Sequence, residues 1–220
     1  MPIKLNCDLG EGCPFDADLM SRIDYANICC GFHAGDACTT RTALVLAKQH
    51  NVVVGAHPGY ADREHFGRRE LTLSPDQLRA ELIFQIGGLR EMARDVGVVL
   101  RYIKLHGALY NQANRDAELA GRIAEIAQIV CLSVMGLPGS ALEIACASVG
   151  YLREGFADRR YRADGSLVPR SEPDAFVHDP VEAITQARWL IETRGIDTLC
   201  VHGDNPEALA FVAKLREGLR

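Results

Sequence analysis

Six stretches of this sequence place carboxylate, imidazole, amide or cationic side chains beside glycine or alanine, where a small molecule could approach the backbone. "NCDLGEG" contributes Asn6, Asp8 and Glu11, and "ANICCGFHAGD" contributes Asn27, His33 and Asp36. "GAHPGY" holds His57, "KLHGALYN" holds Lys104 and His106, "FADRRY" holds Asp158 and Arg159, and "CVHGD" holds His202 and Asp204. Lys104 with His106, and His202 with Asp204, are two residues apart, so on an extended strand each pair shares a face. Two chemistries suit such a set. Asp8, His33 and His57 form an Asp-His-His combination able to hold a divalent metal with open positions for water. Without a metal, a carboxylate or histidine acts as general base while Lys104 or Arg159 stabilises a developing oxyanion. The spacing is looser than H-E-x-x-H and leaves both open.

These groups need a scaffold that brings distant segments to one place. "IKLNCD" alternates strictly, with Ile3, Leu5 and Cys7 on one face and Lys4, Asn6 and Asp8 on the other. "ANICC", "VVVGA", "VLRYIKL", "IVCLSVM" and "TLCV" read as further buried strands, and "GYLREGF" as a weaker one. Ser74, Pro75 and Gln77 open a helix that Gly97 stops, and Asp179, Pro180 and Glu182 repeat the same start chemistry. Asn205-Pro206 opens a last helix with Leu209, Val212 and Leu215 on its apolar stripe; further helices are expected over 39–50, 115–129 and 140–149.

About seven strands alternating with helices predict an α/β fold over residues 1–220 as one domain. A TIM-like β/α barrel is preferred to a doubly wound sheet, because no early G-x-G-x-x-G turn occurs and polar residues gather at the strands' C-terminal ends, where barrels build their sites. The stretch 57–73 is the longest irregular connection and a candidate lid. His50, His65 and His178 lie in helical or polar contexts and read as surface residues.

The chain has 220 residues, 48% of them hydrophobic, and a net charge of -5 with Lys and Arg dispersed, which gives no footprint for nucleic acid or anionic membrane. Lys4 and Asp8 interrupt what a signal peptide would need to keep apolar, and no apolar run is long enough to span a bilayer, so a cytoplasmic protein is expected. Eight cysteines without metal-type spacing read as reduced, mostly buried thiols. No lysine follows a G-x-x-x-x-G loop, so a reaction using ATP would rely on another polypeptide to handle it.

Taken together, "NCDLGEG", "ANICCGFHAGD", "GAHPGY" with "FGRR", "KLHGALYN", "FADRRYRADGSLVPR" and "CVHGD" resemble the bacterial 5-oxoprolinase A-component family, also called LamB/YcsF, in collinear order. The resemblance implies a barrel of the glycoside hydrolase/deacetylase type. It implies component A of an ATP-dependent 5-oxoprolinase, which opens 5-oxo-L-proline to L-glutamate with subunits B and C. Carried onto this sequence, it implies catalytic roles for Asp8, Glu11, His33, His57, Lys104, His106, Asp158, Arg159, His202 and Asp204. It implies substrate contacts at Asn6, Asn27, Asp36, Tyr110, Asn111 and Arg170. Cys7 and Cys29 stand where the family usually has Ala, Leu105 replaces a usual Pro, and the chain is shorter than typical members between "VPR" and "VHGD". Two alternatives are a stand-alone metal-dependent amidase or deacetylase and a non-catalytic substrate-binding subunit.

Overall fold

The structure, a computed structural model, describes residues 3–163, 165–170, 172–201 and 208–219. Strands β1 (Lys4–Leu9), β2 (Tyr25–Cys29), β3 (Val53–His57), β4 (Leu100–Lys104), β5 (Ser133–Gly136), β6 (Tyr151–Phe156) and β7 (Thr198–Val201) close into a parallel barrel, with β7 pairing back onto β1. The TIM-like α/β architecture expected from the alternation is therefore present. Around it run helices α1 (Asp16–Met20), α2 (Ala37–His50), α3 (Pro75–Val96), α4 (Gly107–Arg115), α5 (Ala117–Val130), α6 (Ala141–Ala145), α7 (Pro180–Trp189) and α8 (Ala208–Gly218).

The alternation in β1 sorts side chains as read from the sequence. Leu5, Cys7 and Leu9 join the apolar core, while Asn6 and Asp8 enter a polar barrel interior. Helix α3 starts where Ser74 accepts a bond from the Gln77 amide and ends at Gly97, whose φ of 80° suits glycine. Its stripe of Leu78, Leu82, Ile86 and Leu89 is buried against the core, each residue contributing about 1.5–3 kcal/mol.

Several boundaries differ from the expectation. The segment expected as one helix over 115–129 is preceded by α4, and Asp116 separates the two helices by accepting bonds from the Glu118 and Leu119 amides. "IVCLSVM" begins in helix rather than strand: Val130 completes α5, Cys131 stops it at φ 53°, and β5 starts at Ser133. Helix α6 is shorter than 140–149, because Cys146 leaves helical geometry. Of the last helix, Asn205-Pro206 lies outside the described residues, while Val212 and Leu215 are buried as expected. All eight cysteines are free, and Cys38 and Cys131 are exposed.

Candidate active site

The C-terminal ends of β1 to β4 and the turns after them bring Glu11, His33, His57 and His106 together, with one ligand atom of each lying within 4.8 Å of all the others. His33 and His106 stack with ring centroids 3.7 Å apart, and His57 stands at 87° to His106. The stack depends on two glycines. A Cβ at Gly59 would lie 2.9 Å from His33 Nδ1, and one at Gly67 would lie 2.8 Å from His33 Cβ. Those glycines belong to "HPGY" and "FGRR", so the stretch 57–73 is a wall of the site. It is tied down on both sides: Arg63 donates to the Gly31 and Gly35 carbonyls, and the His106 and Ala108 amides donate to the Pro58 and Gly67 carbonyls.

Hydrogen bonding sets the imidazole tautomers. His57 Nδ1 donates to the Lys104 carbonyl at 2.7 Å, and His106 Nε2 donates to the Phe66 carbonyl at 2.8 Å. That leaves His57 Nε2 and His106 Nδ1 facing each other at 3.0 Å, each with a lone pair when its ring is neutral. Glu11 Oε1 lies 3.3 Å from His106 Nδ1 and 3.0 Å from His33 Nε2. Lone pairs and a carboxylate therefore converge on one point, which calls for a positive charge there, a proton or a cation. This donor set, with the ring N–H groups of His57 and His106 held by backbone carbonyls, fits a divalent metal ion.

Electrostatics agree with that arrangement. Burial, opposed only in part by Glu11, pushes His33 down to about 4, and burial likewise lowers His106, so both rings are neutral near neutrality. Burial would also lower His57, but the Asp8 carboxylate 3.4 Å away raises it. Burial would raise Glu11; the imidazoles of His106 and His33 beside its Oε1, with His57 adding to them, outweigh it and hold the carboxyl well below the usual range. Cys29, 3.3 Å from His33 Nε2, is pushed up to about 12 by burial and stays a thiol.

Beneath this cluster the barrel interior is a polar lattice. Lys104 Nζ lies 2.9 Å from Asp8, 2.8 Å from Glu154, 3.2 Å from Asn6 Oδ1 and 3.1 Å from Cys200 Sγ. Burial would lower Lys104, but Asp8, Cys200 and Glu154 raise it well above its ordinary value, so the ammonium persists with its three protons committed to these neighbours. Asn27 donates to Asn6 and Asp8, and accepts from Tyr102, whose ring fills the space opposite Gly55.

The model of the LamB/YcsF family matches residues 3–220. The chain belongs to the LamB/YcsF family. It is 43% identical to the A component of 5-oxoprolinase from Symbiobacterium thermophilum, covering 99% of this chain and 91% of that one. It is 44% identical to the A component of 5-oxoprolinase from Neisseria meningitidis serogroup C, covering 99% and 95%. The crystal structure of the lactam utilization protein from Thermus thermophilus superposes with a TM-score of 0.90 at 36% identity, covering 100% and 96%. A putative cellobiose-phosphate cleavage protein from Enterococcus faecalis shares the fold alone, with a TM-score of 0.57 at 12% identity over 97% and 89% of the two chains.

Set on this LamB/YcsF barrel, the residues singled out in the sequence fall into groups. Asn6, Asp8, Asn27 and Lys104 meet inside the barrel, and Glu11, His33, His57 and His106 meet above them. The metal-competent set is therefore Glu11 with three histidines, a correction to the Asp8–His33–His57 combination, because Asp8 is engaged with Lys104 and Asn27. Tyr110, Asn111, Arg159 and Arg170 line a cavity of about 900 Å3 over the cluster. Asp158 is half-buried beside Arg159. Asp36 stands apart: it is exposed and caps α2, its carboxylate accepting from the Thr39 amide. His202 and Asp204 lie outside the described residues. His50 and His178 are exposed as read, and His65 bonds Asp62.

Two residues escaped the sequence reading. Glu154 is wholly buried on β6, where it joins Lys104 to the Tyr110 hydroxyl, 3.0 Å away. Gln85 is buried on α3 and clasps Gly59 by both backbone groups, at 3.1 and 3.0 Å. A signal existed for each: an acid inside an apolar strand, and an amide on the apolar stripe of α3.

Proposed function

We propose that this chain is the A component of an ATP-dependent 5-oxoprolinase and that it hydrolyses the cyclic amide of 5-oxo-L-proline, giving L-glutamate, in the cavity above the Glu11–histidine cluster. What carries the reading is the likeness to proteins named as the A component of 5-oxoprolinase across 99% of the chain. ATP is handled by partner subunits B and C, in keeping with the missing phosphate-binding loop. No helix among the described residues is long and apolar enough to cross a membrane, and we assign the assembly to the cytoplasm.

Opening a lactam requires an activated water, stabilisation of charge on the carbonyl oxygen, and a proton for the departing nitrogen. Glu11, His33, His57 and His106 would hold a divalent cation, which when bound supplies Lewis-acid activation of water and of the carbonyl. Asp8 lines the cavity beside His57, takes the proton of the attacking water and passes it to the departing ring nitrogen, and Lys104 keeps Asp8 ionised until it does so. With its protons committed, Lys104 serves as counter-ion rather than as oxyanion donor.

The test is purified chain with subunits B and C, 5-oxo-L-proline and ATP, assayed for glutamate. Glutamate is expected only from the complete assembly, and metal content is expected to fall in His106→Ala and Glu11→Gln. No glutamate from the complete assembly would overturn the reading, and glutamate from this chain without partners would overturn the division of labour.

A further inference from the structure

The cavity over the cluster has a volume, about 900 Å3, at the upper end of what a drug-sized ligand fills, so a five-membered ring needs something to fix its position within it. Its inner end is acidic and imidazole-rich, with Asp8, Glu11, His57 and His106. The opposite wall carries positive charge, on Arg159, Arg162 and Arg170.

Arg159 is the built element of that wall. Only 6% exposed, it donates through Nε to the Ala175 carbonyl at 3.3 Å and through Nη2 to the Val168 carbonyl at 2.5 Å. These bonds fix the guanidinium plane. Among the described residues Nη1 makes no hydrogen bond and the side chain makes no ion pair, although the residue lines the cavity. The Arg170 guanidinium stands beside it, both groups lying 5.3 Å from the centre of the Phe176 ring. Burial and the Arg170 charge push Arg159 down to about 10, with Asp158 opposing in part, as expected of a buried cation short of negative charge. A planar fork held by backbone carbonyls and stacked on an aromatic ring matches a carboxylate's two oxygens, and a buried cation gains most from an anion that arrives with its own pairing geometry.

We propose that Arg159, with Arg170 beside it, is the subsite for the carboxylate of a cyclic-amide amino acid, so that this grip turns the ring amide toward the Glu11–histidine cluster and selects acids over plain lactams. The inference rests on the 5-oxoprolinase reading for its substrate, but the ring without its carboxylate separates the two. 2-Pyrrolidinone has the same ring as 5-oxoproline and lacks the acid.

The experiment compares unsubstituted protein, Arg159→Gln, Arg159→Lys and Arg170→Gln. It measures calorimetric binding of 5-oxo-L-proline and of 2-pyrrolidinone to this chain, and KM and kcat of the complete assembly. Arg159→Gln is expected to weaken 5-oxoproline binding and raise KM about 10- to 100-fold, with kcat little changed and 2-pyrrolidinone binding unaltered. Arg159→Lys should recover part of the loss, and Arg170→Gln should move KM in the same direction by less. Equal weakening of both lactams, or an unchanged KM, overturns the subsite. If the Arg159 variants fail to fold, an unchanged KM in Arg170→Gln overturns it. Failure of the broader reading looks different: the unsubstituted assembly releases no glutamate. In that case, equal binding of the two lactams by the unsubstituted chain still overturns the carboxylate grip.

Discussion

Glu154 illustrates how one side chain can govern others far from it in the chain. It touches neither Glu11 nor the histidines, yet it shares Lys104 with Asp8 and holds the hydroxyl of Tyr110, which lines the cavity. In Glu154→Gln one end of the amide can still accept a hydrogen bond, but its NH2 group then opposes a second donor, Lys104 or Tyr110. A loss of about 1–3 kcal/mol in unfolding free energy is expected, because Asp8 remains to balance the ammonium. Activity per folded molecule should fall at least about tenfold as Tyr110 and Lys104 shift, about 1.4 kcal/mol of transition-state stabilisation. Chemical denaturation with glutamate assays at matched folded fraction checks this; unchanged turnover with lowered stability would limit Glu154 to holding the barrel together. Asp36 teaches the reverse, since a site-like sequence context ended as a helix cap.

At the level of elements, the stretch 57–73 matters as a wall rather than as a flap. Gly67 has φ +63° and faces the His33–His106 stack, so Gly67→Ala meets two penalties, a left-handed backbone and a Cβ at 2.8 Å from His33. Gly195 has φ +58° with open space around it, so Gly195→Ala meets only the first. Both substitutions are expected to lower stability by about 1–2 kcal/mol through the backbone, with Gly67→Ala losing more. Only Gly67→Ala should also lose activity and weaken binding of the proposed cation. Thermal unfolding, metal analysis and turnover of the two variants side by side check the difference; equal turnover would mean that the imidazole stack tolerates displacement.

Across the whole molecule, the first strand and the last helix are joined through Asp24. Asp24 accepts from the Leu5 amide and pairs with Lys4 and, from α8, with Arg216. Burial would raise its carboxyl, but the Leu5 amide, Arg216 and Lys4 lower it below the ordinary value. Because the folded value lies below the unfolded one, this contribution is complete above the unfolded carboxylate range and is lost as pH falls through the folded value. Asp24→Asn is expected to lower stability at neutral pH and to flatten its decline on acidification. Denaturant midpoints measured from neutrality down through the carboxylate range test this, and a parallel decline in both proteins would assign the acid sensitivity elsewhere.

The barrel class, the succession of strands and the segments that reach the mouth were legible in the sequence alone, because period-two alternation and capping residues such as Ser74 and Asp179 are local signals read within a few residues. Glu11, His33, His57 and His106 were legible too, as side chains of the right kind. Their convergence emerged only on folding, as did the turn of Asp8 to Lys104, the commitment of Asp36 to a cap, and the place of Glu154 and Gln85 in the site's support. Those outcomes depend on distances between strands far apart in the chain and on which hydrogen-bond partner wins inside a crowded barrel, and neither is encoded in any single stretch.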